Sequence, residues 1–176
     1  MKRLLIIPVA LLLSFCNCQK NNIAKNESKS LPLTLKSECP QDGTCNVEVL
    51  KDKRLDIKTD DLGGIYYQIV AASESSVVLF HYNRKVEKGL QDGQYKEDIV
   101  FEINNSDSLI SLSGSELQKT KMLFGRHCYC KGQAGYFKVT QGQLTLEQKK
   151  NAVSFHLDFT ITQVPQIIKS IKATTK

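Results

Sequence analysis

The strongest pattern in the chain is an alternation of apolar and polar residues between Ala152 and Ile161. Its apolar positions are Val153, Phe155, Leu157, Phe159 and Ile161, each separated from the next by a polar residue. Successive side chains of a strand point to opposite faces, so this alternation predicts a strand with one buried and one solvated face.

Two shorter alternating runs come before it, Tyr136–Thr140 and Gln143–Glu147, on either side of Gln141 and Gly142. Two short strands around a glycine-containing turn are typical of a β-hairpin. The pattern places four side chains on the core face of this hairpin: Phe137, Val139, Leu144 and Leu146.

Similar strand signals recur upstream, at about residues 46–50, 54–58, 65–71, 76–83, 97–103 and 108–112. The basic clusters Lys51–Arg54 and Lys149–Lys150 are predicted to be solvated hairpin turns. Helical pattern is confined to 115–122, with Ser115 as a cap, and to 166–171 after Pro165. Many short strands with few helices predict an all-β fold, an antiparallel sandwich or barrel-like domain of about eight or nine strands with one or two short helices.

The N-terminus has a different composition from the rest of the chain. Met1–Arg3 is basic, Leu4–Leu13 is apolar, and a cysteine follows at position 16. A helix of this apolar run would be about 15 Å long, roughly half of what a membrane span needs, so the segment is predicted to be an export signal. The domain organisation that follows is a signal peptide at 1–15, a flexible Lys-, Asn- and Ser-rich tether at 16–36, and a single β-rich domain at 37–176.

This N-terminus resembles bacterial lipoprotein signals of the Bacteroidota type, with Leu13-Ser14-Phe15-Cys16 in the position of the lipobox. The resemblance covers residues 1–20 and implies that Cys16, or alternatively Cys18, becomes a lipidated N-terminus. It further implies a location on the bacterial outer membrane or cell surface. Cleavage by a general signal peptidase is the alternative, and it would release a soluble periplasmic or secreted protein.

The distribution of charged residues argues against one class of partner, nucleic acids. The formal net charge is +6, from 24 basic and 18 acidic residues that are interspersed along the chain. A nucleic-acid footprint requires clustered basic residues, so no nucleic-acid partner is expected. The expected partners are the membrane, through the lipid, and a glycan, a peptide or another envelope protein.

Four cysteines remain in the predicted domain: Cys39, Cys45, Cys128 and Cys130. In an exported protein an even set of cysteines indicates disulfides. Cys128 and Cys130 would lie about 6.6 Å apart in an extended strand with parallel side chains, which is poor disulfide geometry. Two cross-bridges between the 39–45 loop and the 128–130 segment are therefore expected.

The same cysteines support a second hypothesis, in which they join His127 to bind zinc or Cu(I) in a periplasmic metal-handling protein. Neither cysteine spacing is that of a zinc knuckle, and no metal or other cofactor is assigned. The segment around Cys128 is rich in aromatic, basic and glycine residues, which makes a ligand groove of Arg126, Tyr129, Lys131 and Tyr136 a further expectation.

Catalysis has little support in the sequence. None of the familiar nucleophile, zinc-protease or phosphate-loop motifs occurs, and no catalytic residue is assigned. The favoured function is a surface-tethered binding or structural domain of the bacterial envelope. A periplasmic metal-handling protein and an enzyme with a dispersed site are the two alternatives.

Overall fold

The computed structural model describes residues 30–150 and 152–175, and strands make up most of this part of the chain. The strands are β1 Ser30–Leu35, β2 Gly43–Thr59, β3 Ile65–Arg84, β4 Tyr95–Asn104, β5 Leu109–Ser113, β6 Leu123–Cys128, β7 Gly135–Lys138, β8 Gly142–Lys149, β9 Ala152–Phe159 and β10 Ser170–Thr175. A single 3-10 helix, Gly114–Thr120, connects β5 to β6. The described residues contain no helix of the length and apolar character needed to cross a membrane.

All strand pairings are antiparallel, and together they form one continuous ten-stranded sheet in the order β4-β6-β7-β3-β2-β1-β10-β9-β8-β5. β1 lies at the point where this sheet folds over. Its residues Ser30–Pro32 pair with β2, whereas Leu33–Leu35 pair with β10. A strand that changes sheets in this way joins the two layers of a sandwich at a corner.

The main core lies between the two layers. One layer contributes alternate residues of β2, β3, β4 and β6, and the other contributes alternate residues of β8, β9 and β10. Edge-to-face contacts cross the interface, such as that between Phe101 and Phe155, whose ring centroids are 5.5 Å apart. The alternating segment of the sequence supplies much of the second layer: Val153, Phe155, Leu157, Phe159 and Ile161 are all buried there.

A second, smaller core lies on the opposite face of the first layer. Its fully buried members are Leu55, Val77, Leu79, Val100 and Leu123. The distal half of the β2–β3 hairpin covers this face, because the hairpin bends at a bulge between Lys51 and Lys53. Asp52 adopts a left-handed conformation at the bulge, with φ of 57°.

The bent hairpin closes a ring of strands around the second core. β3 pairs with β4, β4 with β6 and β6 with β7. The ring is completed where Ile65, at the start of β3, pairs with Tyr136 of β7. Glu102 fixes the distal arm from inside the ring, since its carboxylate accepts from the Leu55 backbone N–H at 2.8 Å and from Lys121 Nζ at 2.7 Å.

Glu97 of β4 connects the two layers at the other side of the sheet. Its side chain is buried, and its carboxylate accepts hydrogen bonds from Tyr95 Oη at 2.5 Å and from the backbone N–H groups of Ile167 and Ile168 at 2.7 Å. The segment between β9 and β10 is irregular, so these bonds replace the strand pairing that its backbone lacks.

The all-β prediction is confirmed, and so is the strand at 152–159, but the predicted pairing of its neighbours is wrong. β7 and β8 do not form a hairpin: β7 pairs with β6 and, at one position, with β3, whereas β8 pairs with β5 and β9. The side chains expected on the core face still contact the main core, because alternation fixes the face of a strand and not its partner.

Three further expectations differ from the structure. The cluster Lys51–Arg54 lies at the bulge within β2 and is not a hairpin turn. No helix forms at 166–171, where the last residues instead begin β10. Residues 30–35 of the expected tether form β1 within the sheet. The predicted signal peptide, and Cys16 and Cys18 with it, lie outside the described residues.

We expect Glu97→Ala to lower the free energy of unfolding by about 3 kcal/mol, because it leaves a buried tyrosine hydroxyl and two backbone N–H groups without their acceptor. Urea denaturation measures this effect. Glu97→Gln keeps one acceptor oxygen and is expected to cost less. Glu147→Ala on the exposed face of β8 is the matched control, and an equal loss from both alanine variants would contradict the role assigned to Glu97.

Candidate functional site

The candidate site is a cluster of two histidines around one aspartate on three neighbouring strands. Asp98 of β4 lies opposite His81 of β3, and His127 of β6 lies on the same face, two residue pairs along from Asp98. His81 Nδ1 is 2.7 Å from Asp98 Oδ1, and His127 Nε2 is 2.8 Å from Asp98 Oδ2. An ionised carboxylate only accepts hydrogen bonds, so each imidazole N–H donates a hydrogen bond to its own carboxylate oxygen.

The cluster lies at the end of the ring, on the face of the sheet that contains the second core. The Asp98 side chain is 13% exposed, whereas those of His81 and His127 are 32% and 37% exposed. The two imidazole rings are in contact with solvent and cover most of the Asp98 carboxylate. Such a pair of charges is stronger than an ordinary surface ion pair, since less water separates the partners.

Burial opposes the ionisation of Asp98, but the hydrogen bonds from His127 and His81 and the charges of both rings outweigh it, and they lower the pKa of Asp98 to about 2. The hydrogen bond to Asp98 raises the pKa of His81 above its usual value, against the opposing effect of burial. The Asp98–His81 interaction is therefore an ion pair under mildly acidic conditions and weakens as His81 loses its proton.

Two tyrosines extend the cluster towards the interior of the ring. The Tyr136 ring packs edge-on against His127 with centroids 5.3 Å apart, and Tyr67 packs against Tyr136 at 5.0 Å. Burial, and next to it the neighbouring Tyr67, raise the pKa of Tyr136 far above its usual range. Tyr136 is a neutral hydroxyl at any physiological pH.

Gly125 makes this arrangement sterically possible. A Cβ atom at this position would lie 2.5 Å from the Tyr136 ring and 2.9 Å from His127 Nε2. Any larger residue in β6 would push the tyrosine away or turn the imidazole away from Asp98. The glycine is therefore required by close packing at this point of the strand.

A cleft of about 560 Å³ opens beside the cluster. β4 and β6 form its floor, and the loop before β4 forms one side. Its lining residues are Gln91, Asp92, Gln94, Lys96, Asp98, His127, Cys128 and Tyr129. Most of these side chains are polar, and Tyr129 is 85% exposed at the rim.

The four domain cysteines form disulfides, but the expected cross-bridges between the two segments are wrong. Cys39 pairs with Cys45 and Cys128 pairs with Cys130. The extended geometry assumed for the second pair does not apply, because β6 ends at Cys128 and the chain bends there. The bend brings the two Cα atoms to 5.2 Å, which a disulfide can span.

The structure does not bring the four residues of the expected groove together. The Arg126 side chain is buried on the other face of β6, where its guanidinium donates to the carbonyl and the side-chain oxygen of Gln133 at 3.0 Å. Tyr129 lines the cleft, Lys131 is exposed in the following turn, and Tyr136 belongs to the histidine cluster. Of the expected groove, only Tyr129 lines the cleft described above.

All four cysteines of the domain are in disulfides in this structure, so they are not present as thiolates that could bind a metal ion. Within residues 30–150 and 152–175, histidine, cysteine and carboxylate side chains form no group of three or more arranged to hold a metal ion. The Asp98 oxygens are each directed at a different imidazole, and the cluster is therefore a hydrogen-bonded one.

His81 and Asp98 were missed by sequence reasoning as members of a site. His81 is one polar residue among apolar neighbours and Asp98 follows two other charged residues, Lys96 and Glu97, and both patterns also occur on an ordinary solvated strand face. The informative signal is that both lie on the strand face whose next members, Leu79 and Val100, are buried in the second core. That face could be recognised only after the pairing of β3 with β4 was known.

Comparison of the chain with protein-family models, with curated proteins and with solved structures gives no match.

Asp98→Asn should lower the free energy of unfolding by about 1–2 kcal/mol at pH 6, after allowance for partial solvent exposure. His81 has a raised pKa, so its contribution is complete below about pH 6.5 and is lost as the pH rises through its folded-state value. The loss should therefore be smaller at pH 9 than at pH 6. In the wild type, the Asp98 contribution should disappear as the pH falls from about 4 towards 2.

Denaturant titrations at a series of pH values test this behaviour. Asp158→Asn is the matched control, because Asp158 also pairs with a histidine, His156 at 3.3 Å, but both side chains are about half exposed. Its effect should be small, because an exposed ion pair contributes little to stability. Equal losses in the free energy of unfolding for Asp98→Asn and Asp158→Asn would show that the Asp98 cluster stabilises the protein no more than an exposed ion pair does.

Proposed function

We propose that this chain is an exported, membrane-tethered binding domain of the bacterial envelope whose cleft takes a polar, hydroxyl-rich ligand such as a glycan. The observation that supports this most directly is the composition of the cleft. An exposed aromatic ring, that of Tyr129, stands beside amide, carboxylate, ammonium and imidazole groups around one concave surface.

The cleft contains both hydrogen-bond donors and acceptors, and both positively and negatively charged groups. Gln91 and Gln94 can each donate and accept, Asp92 accepts and Lys96 donates. The negative charge of Asp98 is already compensated by its two imidazoles. This mixture suits sugar hydroxyls, which both donate and accept, better than an anion, which would require an excess of donors.

Tyr129 supplies the apolar part of such a site. Its ring is the most exposed aromatic group among the described residues and is held between two disulfide-bonded cysteines. A rigid aromatic platform provides contact area at little cost in conformational entropy, which is why tyrosine is frequent in binding surfaces. The apolar faces of sugar rings can stack on a platform of this kind.

The floor of the cleft is rigid, since Lys96 and Asp98 lie on β4 and His127 and Cys128 lie on β6, and these two strands are directly paired. The loop from Lys85 to Gln94 contributes Gln91, Asp92 and Gln94 to one side of the cleft. Loop residues positioned by a rigid scaffold are typical of ligand sites.

The tether and the location are proposed from the N-terminal sequence. A basic start, a short apolar run and a cysteine at position 16 support lipoprotein processing, and the two disulfides fit an oxidising compartment. A lipid at Cys16 would hold the cleft-bearing domain at the membrane surface, within reach of envelope polysaccharides.

Binding of neutral oligosaccharides, screened on an array and then measured by calorimetry, tests the ligand class. Tyr129→Ala should weaken binding about tenfold, whereas Tyr129→Phe should retain it. Tyr66→Ala is the matched control, because Tyr66 is also an exposed tyrosine but lies on β3 and does not line the cleft. A panel without any binder, or equal effects of Tyr129→Ala and Tyr66→Ala, would contradict the proposal.

Expression of the full chain in a bacterial host tests the anchor. Cys16→Ala should move the protein from the membrane fraction to the soluble fraction and remove the acyl mass from its N-terminus. Cys18→Ala should leave both unchanged. The opposite result would assign the lipid to Cys18, and a wild-type protein without acyl groups would exclude the lipoprotein.

A further inference from the structure

The Cys128–Cys130 disulfide lies where a reagent in the cleft could reach it. Cys128 is the last residue of β6 and lines the cleft, and Cys130 lies in the turn that follows. Both cysteines are partly exposed, and the residue between them, Tyr129, projects into solvent. Accessibility of this kind separates reactive disulfides from buried structural ones.

This bridge contributes little to holding the fold together. It closes a loop with a sequence separation of 2, and in the chain-entropy model the stabilisation that a disulfide provides becomes smaller as the closed loop becomes shorter. β6 is already paired with β4 as far as Cys128 itself. Beyond Cys128, the Arg126 guanidinium holds Gln133 by two hydrogen bonds and Gln133 N–H donates to the Cys130 carbonyl at 3.1 Å.

The same contacts make the bridge reversible. Because the Arg126–Gln133 clamp holds the turn independently of the sulfur atoms, reduction should leave the two thiols close to each other. An open dithiol in such a turn can close again without refolding of the domain. Cys39–Cys45 differs, since its sequence separation is 6 and both of its cysteines pack against the main core.

The two sulfur atoms of the bridge are not equivalent. Cys128 packs partly against the main core, whereas Cys130 is not part of that cluster, so an incoming thiolate has better access to Cys130. Cleavage at Cys130 therefore releases Cys128 as the leaving thiolate.

We propose that Cys128–Cys130 is a thiol–disulfide exchange site that oxidises dithiols of exported proteins or peptides. A substrate thiolate attacks Cys130 Sγ, the Cys128–Cys130 bond breaks, and Cys128 leaves as a thiolate from the resulting mixed disulfide. The second substrate thiolate then attacks the substrate sulfur of the mixed disulfide and displaces Cys130. Two electrons pass from the dithiol to the bridge, and the two protons of the substrate thiols end on Cys128 and Cys130.

The bridge flanks Tyr129 of the proposed glycan site, but the exchange reaction requires no glycan, so the folded full-length domain can be tested with dithiothreitol as the probe. The protein is equilibrated with reduced and oxidised dithiothreitol, the free thiols are alkylated in acid, and each cysteine is assigned by peptide mass spectrometry. Cys128 and Cys130 should become alkylated while Cys39 and Cys45 remain paired and the circular dichroism spectrum is unchanged. Simultaneous opening of both bridges, or earlier opening of Cys39–Cys45, would overturn the proposal.

The direction of attack has its own test. A short reaction with the monothiol glutathione, quenched in acid, should leave glutathione on Cys130 and an alkylated thiol on Cys128, whereas an adduct mainly on Cys128 would refute the mechanism.

Discussion

The bend in the long β2–β3 hairpin is the constraint on which the rest of the structure depends. A straight hairpin with strands of this length would extend far beyond the sandwich and leave one apolar face exposed. At the bulge between Lys51 and Lys53, one residue of β2 lies opposite four of β3, because Lys51 pairs with Ser76 and Lys53 pairs with Ala71. The single extra residue in β2 reverses its alternation, so Leu50 before the bulge and Leu55 after it both contact the second core. The hairpin therefore wraps around its own apolar face, and Ile65 reaches Tyr136 to close the ring.

Closure of the ring also determines where the polar cluster can form. Along β3, the face that carries Val77 and Leu79 continues to His81, and along β4 the face that carries Val100 continues to Asp98. The apolar end of this face is covered by the hairpin arm, and its polar end opens to solvent. The ionisable side chains on this face lie between the buried core and solvent and are therefore partly buried. At such positions pKa values shift, but the charged groups do not bear the full cost of desolvation.

Sequence patterning predicted the faces of strands well and their partners poorly. Leu144, Leu146, Phe155 and Leu157 are buried as the alternation indicates, because period-two patterning depends only on the local backbone. The strand that pairs with β7 depends on which strand edges, distant in sequence, are available. β7 pairs with β6 and β3 through Tyr136, and not with β8, the strand that follows it. The bulge was missed for a related reason: Lys51–Arg54 has the composition of a turn, and only the continued pairing with β3 makes it part of a strand. The cluster around Asp98 could not be predicted, since its members lie on three strands whose order is fixed by these long-range pairings.

The candidate site is rigid because alternate residues of the two strands beneath it are buried in the main core. On β4, Tyr95 and Glu97 point into the sandwich, where Glu97 holds the backbone of Ile167 and Ile168, while Lys96 and Asp98 point to the cleft. On β6, Arg126 holds the turn from behind while His127 faces Asp98 in front. The buried network and the exposed cluster thus occupy opposite faces of the same two strands. A change in the buried network should therefore move the cleft floor as a unit, whereas a change in the cluster should alter local charge and leave the floor in place.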